Sequence, residues 1–419
     1  MSMMDRKNVS LLLPWLAFST LICILPIAFL FEKGGRVLFY YCAYFSLTGV
    51  VIELCKRRPI ILTDRKALAI LSLGLVYVGW SLFFQYYDHT HDGLYYTAAK
   101  RFALGYIIAV YIMHISHAGY IDKKQMVKCA LVSLSLTFLT ASCFATFQSF
   151  TSNERIVLGI NRATMTAYAY SAVVLSLIYL ILNLPETKLK KFCFLIVSIV
   201  SLYVIMLTQT RSAMVIHTLF LAIMTFRLFA VTRNVRFIGC IAVLLLVAIG
   251  FSYKVVEVRV ESTVNEYNDY QHGNDKTSLG SRFTMWKTGI LAFEHSPFGQ
   301  TQDQRNKFIT TYLNEHHQSD SWALIYINVH LHNEFIQFAS IFGVMGVFVL
   351  LYFFYTFIIL EIKNGRKLTP LAIASIAILL YGMTDVLLTS VEFIAMFSVL
   401  VVLLSLIESD ESYSKDQKR

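Results

Sequence analysis

The chain has 419 residues and a net charge of +10, and 57% of its residues are hydrophobic whereas 15% are charged. A soluble globular domain carries about 25% charged and about 45–50% apolar residues, so the composition excludes a cytosolic enzyme, a secreted domain and a disordered chain. Residues 11–31 are 21 consecutive positions without a charge. Because blocks of this length recur, an outer-membrane barrel, whose strands alternate polar and apolar positions over about 10 residues, is excluded too.

Twelve membrane-spanning helices are predicted, because a span needs roughly 20 apolar residues. Only helices and closed barrels satisfy their backbone hydrogen bonds in lipid, so the predicted fold class is an all-α polytopic membrane protein. The first block is longer than the apolar region of a secretory signal and lacks a small-x-small cleavage site, so an uncleaved helix is expected. The predicted helices cover residues 11–31, 37–54, 67–85, 102–118, 126–148, 163–183, 192–207, 213–230, 237–253, 335–360, 369–388 and 393–407.

Lysine and arginine are concentrated in every second short connection, which predicts that these connections and both termini lie in the cytoplasm. Topology therefore explains most of the positive net charge, and no nucleic-acid partner is expected. Residues 408–419 are expected to form a polar cytoplasmic tail. The basic connections cover residues 56–66, 123–128, 188–191, 233–236 and 363–367.

One connection, residues 254–334, is about 80 residues long and is predicted to lie on the outer side. Nine predicted helices precede it in residues 1–253, and three follow it in residues 335–407. Long connections without structure of their own are uncommon, and most long loops are functional. This loop is therefore expected to be partly helical and to carry a catalytic or binding subdomain. No internal repeat is visible, which weakens the alternative of a transporter built from inverted halves.

The sequence predicts neither a metal nor another cofactor. The seven cysteines lie in or beside apolar blocks without a CxxC pair or a zinc spacing, so they are expected to be small hydrophobic helix residues. The clusters at 88–92 (Asp-His-Thr-His-Asp) and 315–317 (Glu-His-His) contain metal-binding residue types, but such stretches are more often polar loops. No Walker, GxGxxG or GxSxG motif occurs in the chain.

Cations on the predicted outer side, which topology does not explain, indicate an anion site. Arg211 follows the segment 208–210 (Thr-Gln-Thr) in an almost unbroken apolar run, and an arginine in a span costs about 2.5–3.5 kcal/mol on insertion scales. Thr210 adds a hydroxyl, and the turn opens a helix N-terminus that favours an anion. Arg282 follows a Gly-Ser pair at an expected helix start. The alternatives are a snorkelling anchor for Arg211 and a solvated charge for Arg282. The other outer cations are Lys100, Arg101, Arg155, Arg162, Arg259 and Arg305.

The segment 330–334 (His-Leu-His-Asn-Glu) lies where the long loop enters the tenth predicted helix. A histidine at the mouth of a helix can titrate near neutral pH and act as a general base. His330 and His332 could instead bind a metal or be structural, although an i, i+4 spacing would suit a metal on a helix better. Asn333 is expected to cap the helix. Asp385, near the outer end of the eleventh helix, is either a site residue or the partner of an outer arginine, because an acid there is expensive.

Together these features resemble the bacterial O-antigen ligases, and the resemblance covers nearly the whole chain. It includes about twelve helices, cytoplasmic termini and one large outer loop between helices nine and ten. The motif is a histidine followed by Asn, Ser or Gln, nine further residues and Gly-x-x-Gly; His332, Asn333, Gly343 and Gly346 match it. Three further stretches are similar: 208–211 (Thr-Gln-Thr-Arg), 280–282 (Gly-Ser-Arg) and 295–299 (His-Ser-Pro-Phe-Gly).

The resemblance implies a GT-C-like glycosyltransferase in the bacterial inner membrane. Such an enzyme ligates O-antigen polysaccharide from undecaprenyl diphosphate onto lipid A-core in the periplasm, with inversion and without a metal. His332 then corresponds to the catalytic histidine, and Arg211 and Arg282 correspond to essential arginines. The residues expected to contact the diphosphate or the sugars are Arg155, Thr210, Arg259, Asn333 and Asp385. The alternatives are an O-antigen polymerase of the same superfamily and a non-enzymatic flippase or exporter of a lipid-linked glycan.

Overall fold

The computed structural model describes residues 3–31, 33–87, 93–152, 154–160, 162–232, 239, 253–365 and 367–409, and every regular element in these ranges is helical. The helices before the long loop are α1 (Met3–Ala28), α2 (Gly34–Cys55), α3 (Arg65–Tyr87), α4 (Gly93–Ala118), α5 (Lys123–Thr151), α6 (Ala163–Leu182), α7 (Lys188–Leu207) and α8 (Arg211–Thr232), with a 3₁₀ turn (Leu158–Ile160) between α5 and α6. The loop contributes α9 (Tyr253–Gln271), α10 (Ser278–His295), α11 (Gln302–Glu315) and α12 (Ala323–Tyr326). The last part holds α13 (Glu334–Phe354), a π-helical turn (Tyr355–Leu360), α14 (Glu361–Gly365), α15 (Pro370–Gly382) and α16 (Val391–Glu408).

The predicted all-α polytopic fold is confirmed. Among the described residues, nine helices are long and apolar enough to cross a membrane, and two shorter apolar helices (Leu12–Ala28 and Pro370–Gly382) accompany them. These helices overlap eleven of the twelve predicted spans. The remaining prediction, 237–253, lies outside the described residues apart from positions 239 and 253, as do the 88–92 cluster and the tail from residue 410. The chain is a multi-pass membrane protein.

Two of the differences from the predicted helix boundaries affect candidate site residues. Helix α4 begins at Gly93 rather than near residue 102, so Arg101 lies inside the helix and is buried. Helix α15 ends at Gly382 rather than near residue 388, so Asp385 lies in the connection to α16.

The connection after α15 is not helical because its backbone bonds to side chains at the start of α13. The Asn333 amide donates to the Met383 carbonyl at 2.9 Å. One carboxylate oxygen of Glu334 accepts hydrogen bonds from the backbone N–H groups of Leu387 and Leu388, at 2.6 and 3.1 Å. These contacts fix the position of Asp385 relative to α13.

Helices α6 and α16 form the centre of the bundle. The apolar windows of these two helices are 94% and 83% buried, whereas those of α2, α3 and α8 are 39% buried. A helix that is apolar on all sides yet covered on only part of its surface is suited to contact lipid with the remainder. The bundle thus has an inner pair of helices and an outer layer that can face the membrane.

The bundle has two chemically different ends. At one end, the Lys66 ammonium bridges Glu361 and Glu408 at 3.1 and 3.2 Å and joins α3, α14 and α16. At the other end, which we call the loop end, α7 ends, α8 and α13 begin, and the helices of the long loop pack. All the site residues described below lie at the loop end.

The long loop has a small hydrophobic core of its own. It contains Met285, Ala292, Ile309, Leu313, Ala323, Ile327 and Leu331. Arg305, one of the cations noted in the sequence, is fully buried beside this core. Its guanidinium donates to the Gln337 side chain at 3.0 Å and to the Ile327 carbonyl at 2.6 Å. Arg305 therefore links the loop to α13 and does not face a ligand site.

The Gly-x-x-Gly part of the motif marks a kink in α13 onto which the loop docks. Gly343 has φ 63° and ψ −155°, a backbone conformation that side chains disfavour. A Cβ at this position would lie 2.3 Å from the Pro297 carbonyl oxygen. The kink frees the Val344 N–H to donate to that same oxygen at 2.9 Å, and the Gln300 N–H donates to the Ile341 carbonyl at 3.0 Å. The 295–299 stretch and the glycine motif are therefore the two halves of one structural joint.

Candidate functional site

The turn between α7 and α8 gathers the first group of predicted site residues. Helix α7 ends at Leu207, Gln209 adopts a positive φ of 50°, and Arg211 is the first residue of α8. The Arg155 guanidinium donates to the Thr208 carbonyl at 2.9 Å and to the Thr210 hydroxyl at 3.1 Å. The structure thus places Arg155, Thr210 and Arg211 at one helix start, where backbone N–H groups favour an anion.

Arg211 has an acidic partner that sequence reasoning missed. Its Nη2 donates to the Glu266 carboxylate at 2.6 Å and to the Ser262 hydroxyl at 3.0 Å, both on α9. The second oxygen of Glu266 accepts from the backbone N–H of Leu279 at 2.8 Å. Because Glu266 is about 55 residues from Arg211 in the chain, no local pattern could have predicted this pair. It ties the start of α8 to the start of α10.

Arg282 lies in the second turn of α10, after the Thr277 side chain has capped the helix by accepting from the Gly280 N–H at 3.0 Å. The helix therefore begins four residues before Arg282, and the Gly-Ser pair that was expected to form a loop lies inside its first turn. The Arg282 side chain is partly buried, and within the described ranges it makes no hydrogen bond or ion pair. Its charge nevertheless acts on Asp385 and His330. It is a cation held beside the histidine cluster with its N–H groups available to an anion.

His332 lies against Asp385, directly before α13. Its Nδ1 is 3.3 Å from one carboxylate oxygen of Asp385, although the contact is not aligned as a hydrogen bond. The other oxygen accepts from the Tyr168 hydroxyl at 3.3 Å, and that hydroxyl lies 2.9 Å from Ser212, the residue after Arg211. A chain of polar contacts thus connects His332 to the start of α8.

Asp385 is ionised at neutral pH despite its burial. Its side chain is only 3% exposed. Burial alone would raise the pKa of Asp385, but His332, His330 and Arg282 outweigh it and hold the pKa below its ordinary value. A buried carboxylate beside Nδ1 of a histidine favours the tautomer with its proton on Nδ1, which leaves Nε2 with the lone pair that a general base needs.

The backbone around His332 is held in an unusual conformation by its neighbours. His332 has a positive φ of 51°, which few side chains adopt without compensating contacts. The Trp286 indole donates to the His332 carbonyl at 3.2 Å. Asn333 caps α13, as predicted, by accepting from the N–H groups of Phe335 and Ile336 at 3.0 and 3.1 Å. In this structure the Asn333 side chain therefore positions the histidine.

His330 is a neutral neighbour of His332. The two rings meet edge to face with their centroids 4.2 Å apart. Burial lowers the pKa of His330 to about 4; His332, Arg162 and Arg282 disfavour a second positive charge beside them and act in the same direction, and the Asp385 carboxylate opposes them. Arg162, which the sequence marked only as an outer cation, thus lies close enough to act on this cluster.

Sequence comparison identifies the family. A family model described as O-antigen ligase matches residues 196–351. A curated O-antigen ligase of Escherichia coli (strain K12) is 30% identical over 347 residues, which is 80% of this chain and 80% of that protein. The chain belongs to the O-antigen ligase family. Membership supports a glycosyl-transfer role in lipopolysaccharide assembly.

The segment that matches the O-antigen ligase family model contains part of the site. Arg211, Arg282 and His332 lie within the matched residues, whereas Arg155 and Asp385 lie outside them. The three-dimensional contacts therefore add Asp385, Tyr168 and Arg162 from parts of the chain that the family model does not match.

Two further predictions concern Arg259 and the Glu-His-His cluster at 315–317. The side chain of Arg259, on α9, is not among those described. The Glu-His-His cluster at 315–317 lies at the exposed end of α11, where the His316 ring bonds to the Tyr312 carbonyl at 2.8 Å. Among the described residues, the grouping able to offer three metal ligands is His330, His332 and Asp385, with candidate ligand atoms within 4.8 Å of one another.

Proposed function

We propose that the protein transfers O-antigen polysaccharide from undecaprenyl diphosphate to lipid A-core at the periplasmic face of the bacterial inner membrane. The observation that carries the proposal is the pairing of His332 with the ionised Asp385, beside the Arg282 guanidinium, which has no hydrogen bond or ion pair among the described residues. Such a site can remove a proton and stabilise a leaving anion. Family membership supports the reaction class.

His332 acts as the general base in this proposal. Its Nε2 takes the proton from an acceptor sugar hydroxyl while the hydroxyl oxygen attacks the anomeric carbon, a contribution of about 10²–10⁴-fold in rate. Asp385 orients the ring and stabilises the imidazolium that forms. The bond from the anomeric carbon to the diphosphate oxygen breaks on the opposite side, so the configuration is inverted. The polyprenyl diphosphate leaves with the bonding electrons.

The arginines bind and stabilise the diphosphate. Guanidinium groups match phosphate oxygens bidentately, and losing one preorganised group of this kind typically costs about 3–4 kcal/mol of transition-state stabilisation. Arg282 has no ion-pair partner in the described part of the chain, whereas Arg211 must exchange Glu266 for a phosphate oxygen. Arg155 and Thr210 lie beside that exchange at the start of α8.

The positions of the basic connections support a periplasmic site. Lys66 lies at the opposite end of the bundle from the site, together with Glu361 and Glu408. Basic short connections favour the cytoplasm. The loop end, and with it His332, then faces the periplasm.

The decisive experiment incubates the purified, full-length protein with lipid-linked O-polysaccharide and lipid A-core. Ligated lipopolysaccharide supports the proposal. Elongation of the lipid-linked donor would instead identify a polymerase. If no new glycosidic bond forms, a flippase or exporter is the remaining alternative. We expect His332→Ala, Arg211→Ala and Arg282→Ala to abolish ligation while the protein still folds. Near-normal ligation by one of these variants would remove that residue from the mechanism.

Two matched variants control for the loss of a ring or a charge. His316→Ala removes an exposed loop histidine, and Lys287→Ala removes an exposed cation from the same helix as Arg282; both are expected to ligate normally.

Metal independence is tested separately, because His330, His332 and Asp385 could in principle hold an ion. We expect full activity in EDTA, since the arginines provide the positive charge that a divalent cation would supply. Loss of activity in EDTA, with recovery on adding a divalent ion, would assign the three residues to a metal site.

A further inference from the structure

A second cationic cleft lies at the loop end, separate from the histidine site. It lies among α1, α2, α4, α16 and the 3₁₀ turn. Its polar lining consists of Arg36, Arg101 and Glu392, and its walls are apolar, with Ile24 and Met396 among them. The proposed reaction does not use any of these residues.

Arg101 is the unexplained residue in this cleft. It is only 4% exposed, yet its Nε has no hydrogen-bond partner, and no hydrogen bond or ion pair of its side chain occurs within the described ranges. Its guanidinium lies over the Tyr40 ring, 4.5 Å from the centroid. Buried charges are normally paired, because removing an ion from water costs several kcal/mol. A cation–π contact offsets only part of this cost.

The charge around Arg101 is unbalanced. Arg36 lines the same cleft, and the Lys100 ammonium lies 5.4 Å from the centroid of the same Tyr40 ring. Glu392 is near enough to act on Arg101 electrostatically, but in the part of the chain described here it forms no ion pair with it. Two cations thus line the cleft against one acid, and Lys100 lies on the ring that Arg101 covers, which favours an anionic ligand.

The segment between α5 and α6 separates the two sites. Arg155, near its start, bonds to the α7–α8 turn, whereas Gly159 and Ile160 line the second cleft. The Gly159 N–H also donates to the Phe29 carbonyl at 2.8 Å, which fixes this segment against the end of α1. An occupant of the cleft would therefore contact this segment at residues 159–160, whereas a diphosphate held by Arg211 would lie near Arg155.

We propose that this cleft binds the phosphate group of a membrane amphiphile, with Arg101 and Arg36 as its ligands and the apolar wall against the hydrophobic part. Arginine forks suit phosphate oxygens. This inference rests on the proposed function for its choice of occupant, because glycosyl transfer between two lipids needs a second anchored substrate. That occupant is a phosphorylated glycolipid acceptor. A phospholipid headgroup offers the same phosphate chemistry, and the experiment separates the two sources.

The test measures binding directly, with the full-length protein in nanodiscs of neutral lipid. The probes are lipid A-core, its enzymatically dephosphorylated form and phosphatidylglycerol. We expect Arg101→Gln to weaken binding of phosphorylated lipid A-core by about 10- to 100-fold, the usual effect of losing a charged hydrogen bond. Binding of the dephosphorylated form should be weak and equal in both proteins.

Two further variants keep the test interpretable. Arg36→Gln alters an exposed side chain in the same cleft, so this variant replaces Arg101→Gln in the test if Arg101→Gln does not fold. We expect Arg36→Gln to lose less binding than Arg101→Gln. Lys33→Gln removes a neighbouring exposed cation that does not line the cleft, and its binding should be unchanged.

The outcomes are distinct. Arg101-dependent binding of lipid A-core but not of phosphatidylglycerol supports the acceptor site, and equal Arg101-dependent binding of both supports a general lipid-phosphate site. Binding of phosphorylated lipids that is the same in wild type, Arg101→Gln and Arg36→Gln overturns the inference. A protein that binds lipid A-core through Arg101 but forms no ligated product would refute the proposed function and leave this site standing.

Discussion

Replacement of Asp385 by asparagine tests the base and its partner in one step. The amide keeps the size of the carboxylate and can still accept from the Val386 N–H, which now lies 2.9 Å from Oδ1. What it removes is the negative charge 3.3 Å from Nδ1 of His332. The variant should therefore fold, and the change in activity should report on electrostatics.

The size of the effect follows from this distance. Two unit charges 3.3 Å apart interact by about 5 kcal/mol at an effective dielectric constant of about 20. Arg282 lies nearby with the opposite charge and reduces the contribution of the carboxylate, so we expect a loss of about 3–4 kcal/mol when the imidazolium forms in the transition state. A loss of that size lowers kcat by about 10²- to 10³-fold.

The assay is steady-state ligation by purified protein at saturating donor and acceptor. We expect kcat to fall and KM for either substrate to change little, because Asp385 acts on a charge that develops during the reaction. Asp303→Asn, which neutralises an exposed loop carboxylate, should keep full activity. A folded Asp385→Asn protein with kcat within about threefold of wild type would refute the pairing as a catalytic device.

Three other changes test the joint, the neutral histidine and the second arginine. Gly343→Ala should strongly lower both the thermal unfolding midpoint and the ligation rate, because its Cβ would meet the docked loop. Gly79→Ala, where a Cβ meets nothing within 4 Å, should lower neither. Equal effects of the two substitutions would contradict the joint. The pKa of His330 falls from 6.5 to about 4 on folding. The stability that His330 contributes is therefore complete above about pH 6.5 and is lost as the pH falls toward 4. The total loss of unfolding free energy is at most about 3 kcal/mol. His330→Asn should flatten this part of a plot of thermal midpoint against pH, and an unchanged slope would contradict the assignment. Glu266→Gln should lower KM for the donor by releasing Arg211, and a raised KM would show that the ion pair positions Arg211 for binding.

The sequence predicted what depends on local pattern. Apolar block length gives the helices, and the change from a long loop to an apolar run gives the position of His332 at the start of α13. The capping role of Asn333 also follows from its place before that run, and the structure shows both of its cap hydrogen bonds. Each of these features is determined by residues within a few turns of one another.

Features that depend on long-range contacts could not be predicted in this way. Nothing in the local sequence distinguishes Glu266 from the other acids of the long loop. Its pairing with Arg211 depends on the packing of α9 beside that residue. Asp385 was expected on a helix, because the side chains at 333 and 334, which bond to the backbone of Met383 and Leu387 on either side of it, are about 50 residues away. Arg101 was expected at a helix edge, because hydropathy alone favours starting α4 after its two cations. For Glu266 and Asp385, side chains far away in sequence decide the position.

The placement of Arg282 shows how these long-range contacts combine. Helix α10, which carries it, has 18 residues and is about 27 Å long. Its start is held when Glu266 bonds both Arg211 and the Leu279 N–H. Beyond its end, the Pro297 carbonyl is held by the kink at Gly343. Because both ends of α10 are fixed to the bundle, Arg282 is held beside Asp385 although its side chain makes no hydrogen bond to any residue that the structure describes. The glycines of the motif thus contribute to the site through geometry, whereas its histidine contributes through chemistry.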